Sequence, residues 1–383
     1  MERCTVNHTK NVPVLCERGF TLIELMISLA ITAAIVTAGY TILPSTHKAT
    51  LANERAVGTQ QNARVAMELI ARDIKQAGFG MPMAPNLPVG GTAGNCAPGG
   101  TTAAIRPVDN NPALPLTAVN DTGPDSISVI VPRTNPANGA YAGWVLANAA
   151  PVPGGGSFTQ ITLTNTAVNE MRNEGMQDNS GAYISLGGVV TVPVTSSSGA
   201  SISLANPIYA PMNFPAGTQV YLLQCVTYQV ATGTANCGSA GPCLTRTVDS
   251  GTAPTVTTPL VDGIEDLQFA YGCDGCNGGV SDGVIDDFNS NNTFDGADFQ
   301  TNRVWAFGTF DPATIRLVQI NIVARQTVID QGTGEKNQAG ALTMAPIQAS
   351  DHLSSNDAGY AATTYQAYRR RLLTRTVDTR NMQ

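Results

Sequence analysis

Residues 20–43 form the only long apolar stretch of the chain, and Glu24 is the single charge inside it. As a helix this stretch spans about 36 Å, enough to cross the hydrocarbon core of a bilayer. A carboxylate in such a helix costs about 2.5–3.5 kcal/mol if it lies centrally, so its presence calls for a specific partner. The residues before the stretch carry Arg3, Lys10 and Arg18 and have no apolar core. A secretory signal places its apolar core before the cut. Here the apolar segment comes last, and a secretory peptidase would remove the membrane helix itself. Cys16 offers a lipoprotein-type alternative, against which stand the missing apolar core and the bulk of Leu15. Basic residues next to a membrane helix tend to remain cytoplasmic. The short leader is therefore expected on the cytoplasmic side and the large C-terminal part on the other.

The helix is expected to continue past Pro44, because proline can kink a helix without ending it. Ala52, Ala56, Ala63, Ala66, Met67, Ile70 and Ile74 recur at three- and four-residue spacing, with Glu54, Arg55, Arg64, Glu68, Arg72, Asp73 and Lys75 between them. This is an amphipathic segment that ends near Gly78 and Gly80, where glycine supplies the stop. The expected division is a leader over 1–19, an apolar half-helix over 20–43, an amphipathic half-helix over 44–79 and a head over 80–383.

The head reads as loop-rich β-structure. Charged residues make up only 13% of the chain, against 38 glycines and 23 prolines. Strands are expected at 126–132, 160–164, 189–194, 219–230, 263–271, 315–325 and 372–380. Those at 315–325 and 372–380 alternate apolar and polar residues over much of their length, as half-buried strands do. An antiparallel sheet packed on a long helix, an α+β arrangement, accounts for both halves. The net charge of −7 fits a soluble head and offers no basic face for nucleic acid.

Six cysteines lie beyond the leader: Cys96, Cys225, Cys237, Cys243, Cys273 and Cys276. An even number in a translocated domain reads as disulfides, with about 15 pairings open in principle. Proximity favours Cys237–Cys243 and Cys273–Cys276, which leaves Cys96–Cys225 as a long-range clamp. Cys273 and Cys276 also have the spacing of a redox or zinc pair. No thioredoxin-like pattern surrounds them, and His47 and His352 are the only histidines beyond the leader.

The sequence RGFTLIE at 18–24, followed directly by the apolar run, resembles the prepilin cleavage and methylation motif of type IV pilins. The resemblance implies cleavage by a prepilin peptidase between Gly19 and Phe20 and methylation of the new amine on Phe20. It also implies pairing of Glu24 with the N-terminal amine of a neighbouring subunit, as expected of opposite charges in low dielectric. Three further segments are similar to the PilW group of minor pilins: 63–78 (ARVAMELIARDIKQAG), 260–272 (LVDGIEDLQFAYG) and 369–381 (RRRLLTRTVDTRN). No such likeness is evident over 81–259. The resemblance implies a type IV pilin-like fold and a structural subunit that helps start filament assembly at or near the tip. It sits first in the inner membrane with its head in the periplasm, then in the filament at the cell surface. The implied partners are the major pilin, other minor pilins and the peptidase, and no enzymatic chemistry is implied. A pseudopilin of type II secretion has the same build, and a pilus-tip adhesin that uses the long loops is a third reading.

One loop carries a possible ion site. Counting from Asp287 as position 1, Asn289, Asn291, Asp295 and Asp298 fall at 3, 5, 9 and 12, the oxygen-ligand positions of an EF-hand-type loop, with the Thr293 carbonyl at 7. Calcium suits such an all-oxygen set. Two departures are Asn292 where glycine is expected and Asp298 where a longer glutamate would bind with both oxygens. Asp274 and Asp282 are alternative ligands, and a solvated Asp/Asn turn is the alternative to an ion. No cofactor is required by any other motif.

Overall fold

The computed structural model describes residues 20–81, 96, 103–110, 121–135, 139, 141, 143–151, 156–176, 178, 182–209, 212–238, 241–249, 256–276, 279–306, 310–329, 345–357, 359–379 and 381. The expected processing position Gly19 and the whole leader lie outside them.

Helix α1 runs unbroken over Leu22–Gln76. The chain divides into two compact units within this helix, the second beginning at Arg55. In the first unit the large apolar side chains Leu22, Ile23, Leu25, Met26, Ile27, Leu29, Ile31, Ile35 and Val36 are all solvent-exposed. In the second unit the helix has one buried face, made by Thr59, Ala63, Ala66, Met67, Ile70, Ala71, Ile74 and Ala77. Ala52 and Ala56, expected on that face, are only half-buried. The helix stops at two glycines with left-handed backbone, Gly78 (φ 76°) and Gly80 (φ 75°). A Cβ on Gly80 would lie 2.9 Å from the Tyr221 ring, so no larger residue fits there without displacing the ring.

The head holds fifteen strands among the described residues: β1 (Ile105–Val108), β2 (Ser126–Pro132), β3 (Trp144–Val145), β4 (Ser157–Thr162), β5 (Ala182–Leu186), β6 (Val190–Ser198), β7 (Ser201–Tyr209), β8 (Gln219–Ala231), β9 (Cys243–Asp249), β10 (Val256–Asp262), β11 (Ile264–Cys273), β12 (Ile315–Arg325), β13 (Gln348–Ala349), β14 (His352–Leu353) and β15 (Arg370–Asp378). The seven expected strands are found, with ends displaced by up to four residues. Ten strands form one antiparallel sheet along the path β1-β2-β8-β5-β6-β7-β4, with β3 and β9 also pairing β8 and β10 pairing β9. A three-stranded sheet follows the order β11-β12-β15, and β13 with β14 makes a small hairpin.

Among the described residues two large apolar cores result, beside two small clusters around Cys96–Cys225 and Cys273–Cys276. In the first, α1 residues from Ala63 to Ala77 pack with Ile127, Val129, Val226 and Tyr228 of the large sheet and with Leu267, Phe269, Ile320, Ile322 and Val377 of the small one. The second is built without α1. It gathers Trp144, Ile161, Ile184, Val192, Ile202, Val220 and Leu222 around a short helix, α2 (Asn165–Asn173). β12 departs from its expected alternation, since Ile320 to Ala324 are buried in succession. It is the middle strand, and its second face is also covered: Val323 lines a cavity with Ile347 and His352.

Candidate functional site

The front of α1 is closed by its own residues. The Glu24 carboxylate accepts hydrogen bonds from the Thr21 N–H and the Thr21 hydroxyl, both at 2.9 Å, while the Glu24 N–H donates to Thr21 Oγ1 at 3.3 Å. This is a capping box, in which Thr and Glu three residues apart satisfy the orphan donors of a helix start. The signal was present in the Thr-x-x-Glu spacing, although the sequence argument used Glu24 only as a partner for a neighbour. Phe20, the residue the expected cut would expose, is 88% solvent-accessible. Leu22–Tyr40 is long and apolar enough to cross a membrane.

The three segments similar to the PilW group come together in the second unit. β11 and β15 flank β12, and the buried face of α1 shares their core. Arg375 of β15 pairs with Glu68 of α1, and Asn381 donates to the Lys75 carbonyl at 3.0 Å, covering one of the open carbonyls of the last turn. Arg370 grips the Glu265 carboxylate with two nitrogens, and Arg325 joins the same carboxylate.

A second lock ties α1 to the large sheet. Asp73, almost fully buried, accepts from the Tyr228 hydroxyl at 2.6 Å and pairs with Arg246 at 3.4 Å. Burial and the Asp73 charge hold the Tyr228 phenol well above its usual range, so it remains a donor. Asp73→Asn keeps the shape but weakens two charge-assisted bonds. It is expected to cost about 1.5–3 kcal/mol in chemical denaturation of the full chain, and an unchanged midpoint would show the lock to be idle.

The third element is His352. Its Nδ1 lies 2.7 Å from Asp266 and its Nε2 2.8 Å from Asp357, and Asp357 also accepts from Tyr365. Desolvation works against the charged ring. The hydrogen bonds and charges of the two aspartates outweigh it and push His352 up to about 10. Both ring nitrogens are thus committed to carboxylates, and the imidazolium acts as a clamp between β11 and the C-terminal 352–365 segment.

The cysteines pair as Cys96–Cys225, Cys237–Cys243 and Cys273–Cys276. Asp274, between the paired Cys273 and Cys276, accepts from the Ser281 hydroxyl and from the Asp282 and Gly283 N–H groups of the loop that follows. Asp282 accepts from Val284 N–H. The five expected ion ligands are tied together within the loop by hydrogen bonds. Asp287 accepts from the Asn291 and Asn292 N–H groups, and Asp298 accepts from the Phe288, Asn289 and Asp295 N–H groups. The side-chain amides of Asn289 and Asn291 both donate to Asp295. Asn292 has φ 60°, the left-handed geometry that the glycine of an EF-hand loop supplies.

Two family matches coincide with this layout. Residues 15–40 match the prokaryotic N-terminal methylation motif, and residues 227–381 match the family described as type IV pilus-assembly protein W. No curated protein and no solved structure matches the chain. An apolar N-terminal helix that carries the methylation motif, together with an α+β head, defines a membrane-anchored type IV pilin. More narrowly, its residues 227–381 are similar to the PilW family of type IV pilus-assembly proteins. The family match reaches back to residue 227, inside the 81–259 stretch where the sequence showed no likeness. The second core, over 144–222, lies outside both matches.

Proposed function

We propose that this pilin is a minor subunit that supports the start of filament assembly, near the tip. Its head is exported from the inner membrane, and the chain is cut after Gly19 by a prepilin peptidase. The role is structural rather than enzymatic, and its partners are the major pilin and other minor pilins. The observation that carries the reading is the contrast along one helix. Residues 22–43 expose apolar side chains around a single carboxylate, while from Thr59 onward the same helix is built into the head. A subunit of this build offers its front half to a membrane or to neighbouring helices. The test is the amount of major pilin in the sheared surface fraction of a deletion strain. Loss of surface pili, restored by the wild-type gene, supports an initiating role. Unchanged pili reject it and leave secretion or adhesion, the latter favoured by a second core outside the family match.

The same reading includes calcium at the 287–298 loop, supported by the EF-hand-type spacing of its oxygen-bearing side chains and the left-handed Asn292. Asp287→Asn is expected to remove one calcium ion per chain in equilibrium dialysis of the full protein. Equal calcium content in wild type and variant would make the loop a self-satisfied turn.

A further inference from the structure

Away from the helix, the loop and the His352 clamp, Asp109, Asp121 and Asp125 come together, and the charge of a fourth aspartate, Asp351, bears on them. Asp109 follows β1, Asp121 and Asp125 precede β2, and Asp351 sits in the turn between β13 and β14. The turn is drawn in by a bridge between Asp121 and His352, and Asp125 is fixed on β11 by a hydrogen bond from the Phe269 N–H at 3.0 Å. Asp121 is fully buried, and Asp125 and Asp351 are 4% and 3% exposed. One carboxylate oxygen from each of Asp109, Asp121 and Asp125 lies within 4.8 Å of the other two. That is the greatest separation two oxygens can have around an ion held at about 2.4 Å.

Hydrogen bonds account for part of this cluster. Asn110 donates its N–H to Asp125 and its side-chain amide to Asp121, and the Thr122 N–H also donates to Asp121. They do not account for the rest. Asp121 Oδ2 has no hydrogen-bond partner, and neither oxygen of Asp351 has one. The N–H groups of Asp351 and Asn302 and the Thr301 hydroxyl act on Asp351 in the lowering direction, against the desolvation that raises it. Asp351 comes from a distant part of the chain, yet its charge is felt at Asp125, as the charge of Asp121 is felt at Asp351. The side-chain charges that bear on Asp125 and Asp351 are all negative. The adjacent imidazole of His352 is turned away and spent on Asp266 and Asp357. Desolvation first, then these like charges, push Asp125 well above the usual carboxylate range, and desolvation chiefly raises Asp351 to about 6.

Buried carboxylates are ordinarily paired or bound to a cation. We propose that Asp109, Asp121, Asp125 and Asp351 together bind a divalent cation, calcium, which pins the β13–β14 turn to the start of β2. The ligand set is all oxygen, as hard cations require. It is assembled from turns and strand ends rather than a regular octahedral cage, which suits the flexible coordination of calcium better than magnesium. The proposal is independent of the filament reading and of the 287–298 loop.

The test uses full-length protein in detergent, stripped with EGTA and then given calcium. Asp351→Asn is the informative variant, because it removes a charge while keeping the size of the side chain. It is expected to lose one bound calcium ion per chain that Asp287→Asn retains. In EGTA, Asp351→Asn is expected to melt at or above the wild type, since one of the repelling charges is gone. In millimolar calcium the order reverses, and the wild type melts several degrees higher. Equal calcium content in Asp351→Asn and wild type, or a wild-type melting temperature indifferent to calcium, would overturn the site. An equal shift with magnesium would overturn the choice of ion. Should Asp351→Asn fail to fold, the calcium dependence of melting in the Asp287→Asn variant decides the matter alone.

Discussion

Glu24→Gln is expected to leave cleavage and the folded head intact and to block entry of the subunit into filaments. The substitution separates two roles that Glu24→Ala would confound. Glutamine serves in a capping box as glutamate does, so the bonds with Thr21 persist. What disappears is the charge proposed to pair with the methylated amine of Phe20 on a neighbouring subunit. Removing one member of a buried ion pair costs about 3–5 kcal/mol, or about a hundredfold or more in an association constant. Giving up the cap to pair with a neighbour costs only about 1 kcal/mol, so the exchange favours assembly. The readout is the ratio of variant to major pilin in sheared filaments. Incorporation of Glu24→Gln at the wild-type level would mean that the carboxylate serves its own helix and nothing else.

His352→Gln is expected to destabilise the head by about 3–5 kcal/mol, because it leaves Asp266 and Asp357 facing a neutral amide in a buried site. The effect has a pH signature. The folded value of His352, about 10, lies above the unfolded value of about 6.5. A raised value means that the stabilisation is complete below about pH 6.5 and is lost as pH rises toward about 10. The gap in unfolding free energy between wild type and variant, measured with calcium chelated, is therefore expected to narrow steadily over that interval. A gap that is flat from pH 6 to pH 10 would show that the ring acts through packing and not through its charge.

Local signals made the stem and several strands legible. The apolar run, the glycine stop at 78–80, the apolar stretch of β2 and the partial alternation of β12 needed no tertiary knowledge. Strands β7 and β10 were missed because their composition argues against them. β7 is rich in serine and carries Asn206 and Pro207, and β10 carries Pro259. Proline is tolerated in β10 because it is an edge strand that pairs only with β9. In β6, Pro193 sits where the strand pairs with β5 alone, the β7 pairing beginning at Val194. The two aspartate sites differ in the same way. The 287–298 loop is contiguous, so spacing reveals it. The buried cluster joins residues 109 and 351 through a fold that no local pattern encodes. His352 stood out in the sequence only as one of two histidines beyond the leader, and its partner Asp266 lies 86 positions away.

Strand β8 belongs to both cores. Val220 and Leu222, near its start, sit in the core that lacks α1, while Val226 and Tyr228 sit in the core on the helix. The disulfide to Cys96 is fastened between them, at Cys225. Load applied to the distal part of the head therefore travels along one continuous backbone to Tyr228 and through its hydroxyl to Asp73 on the helix. The region outside the family match is a cantilever rooted in the frame built on the helix, and strain at its far end is felt at the stem.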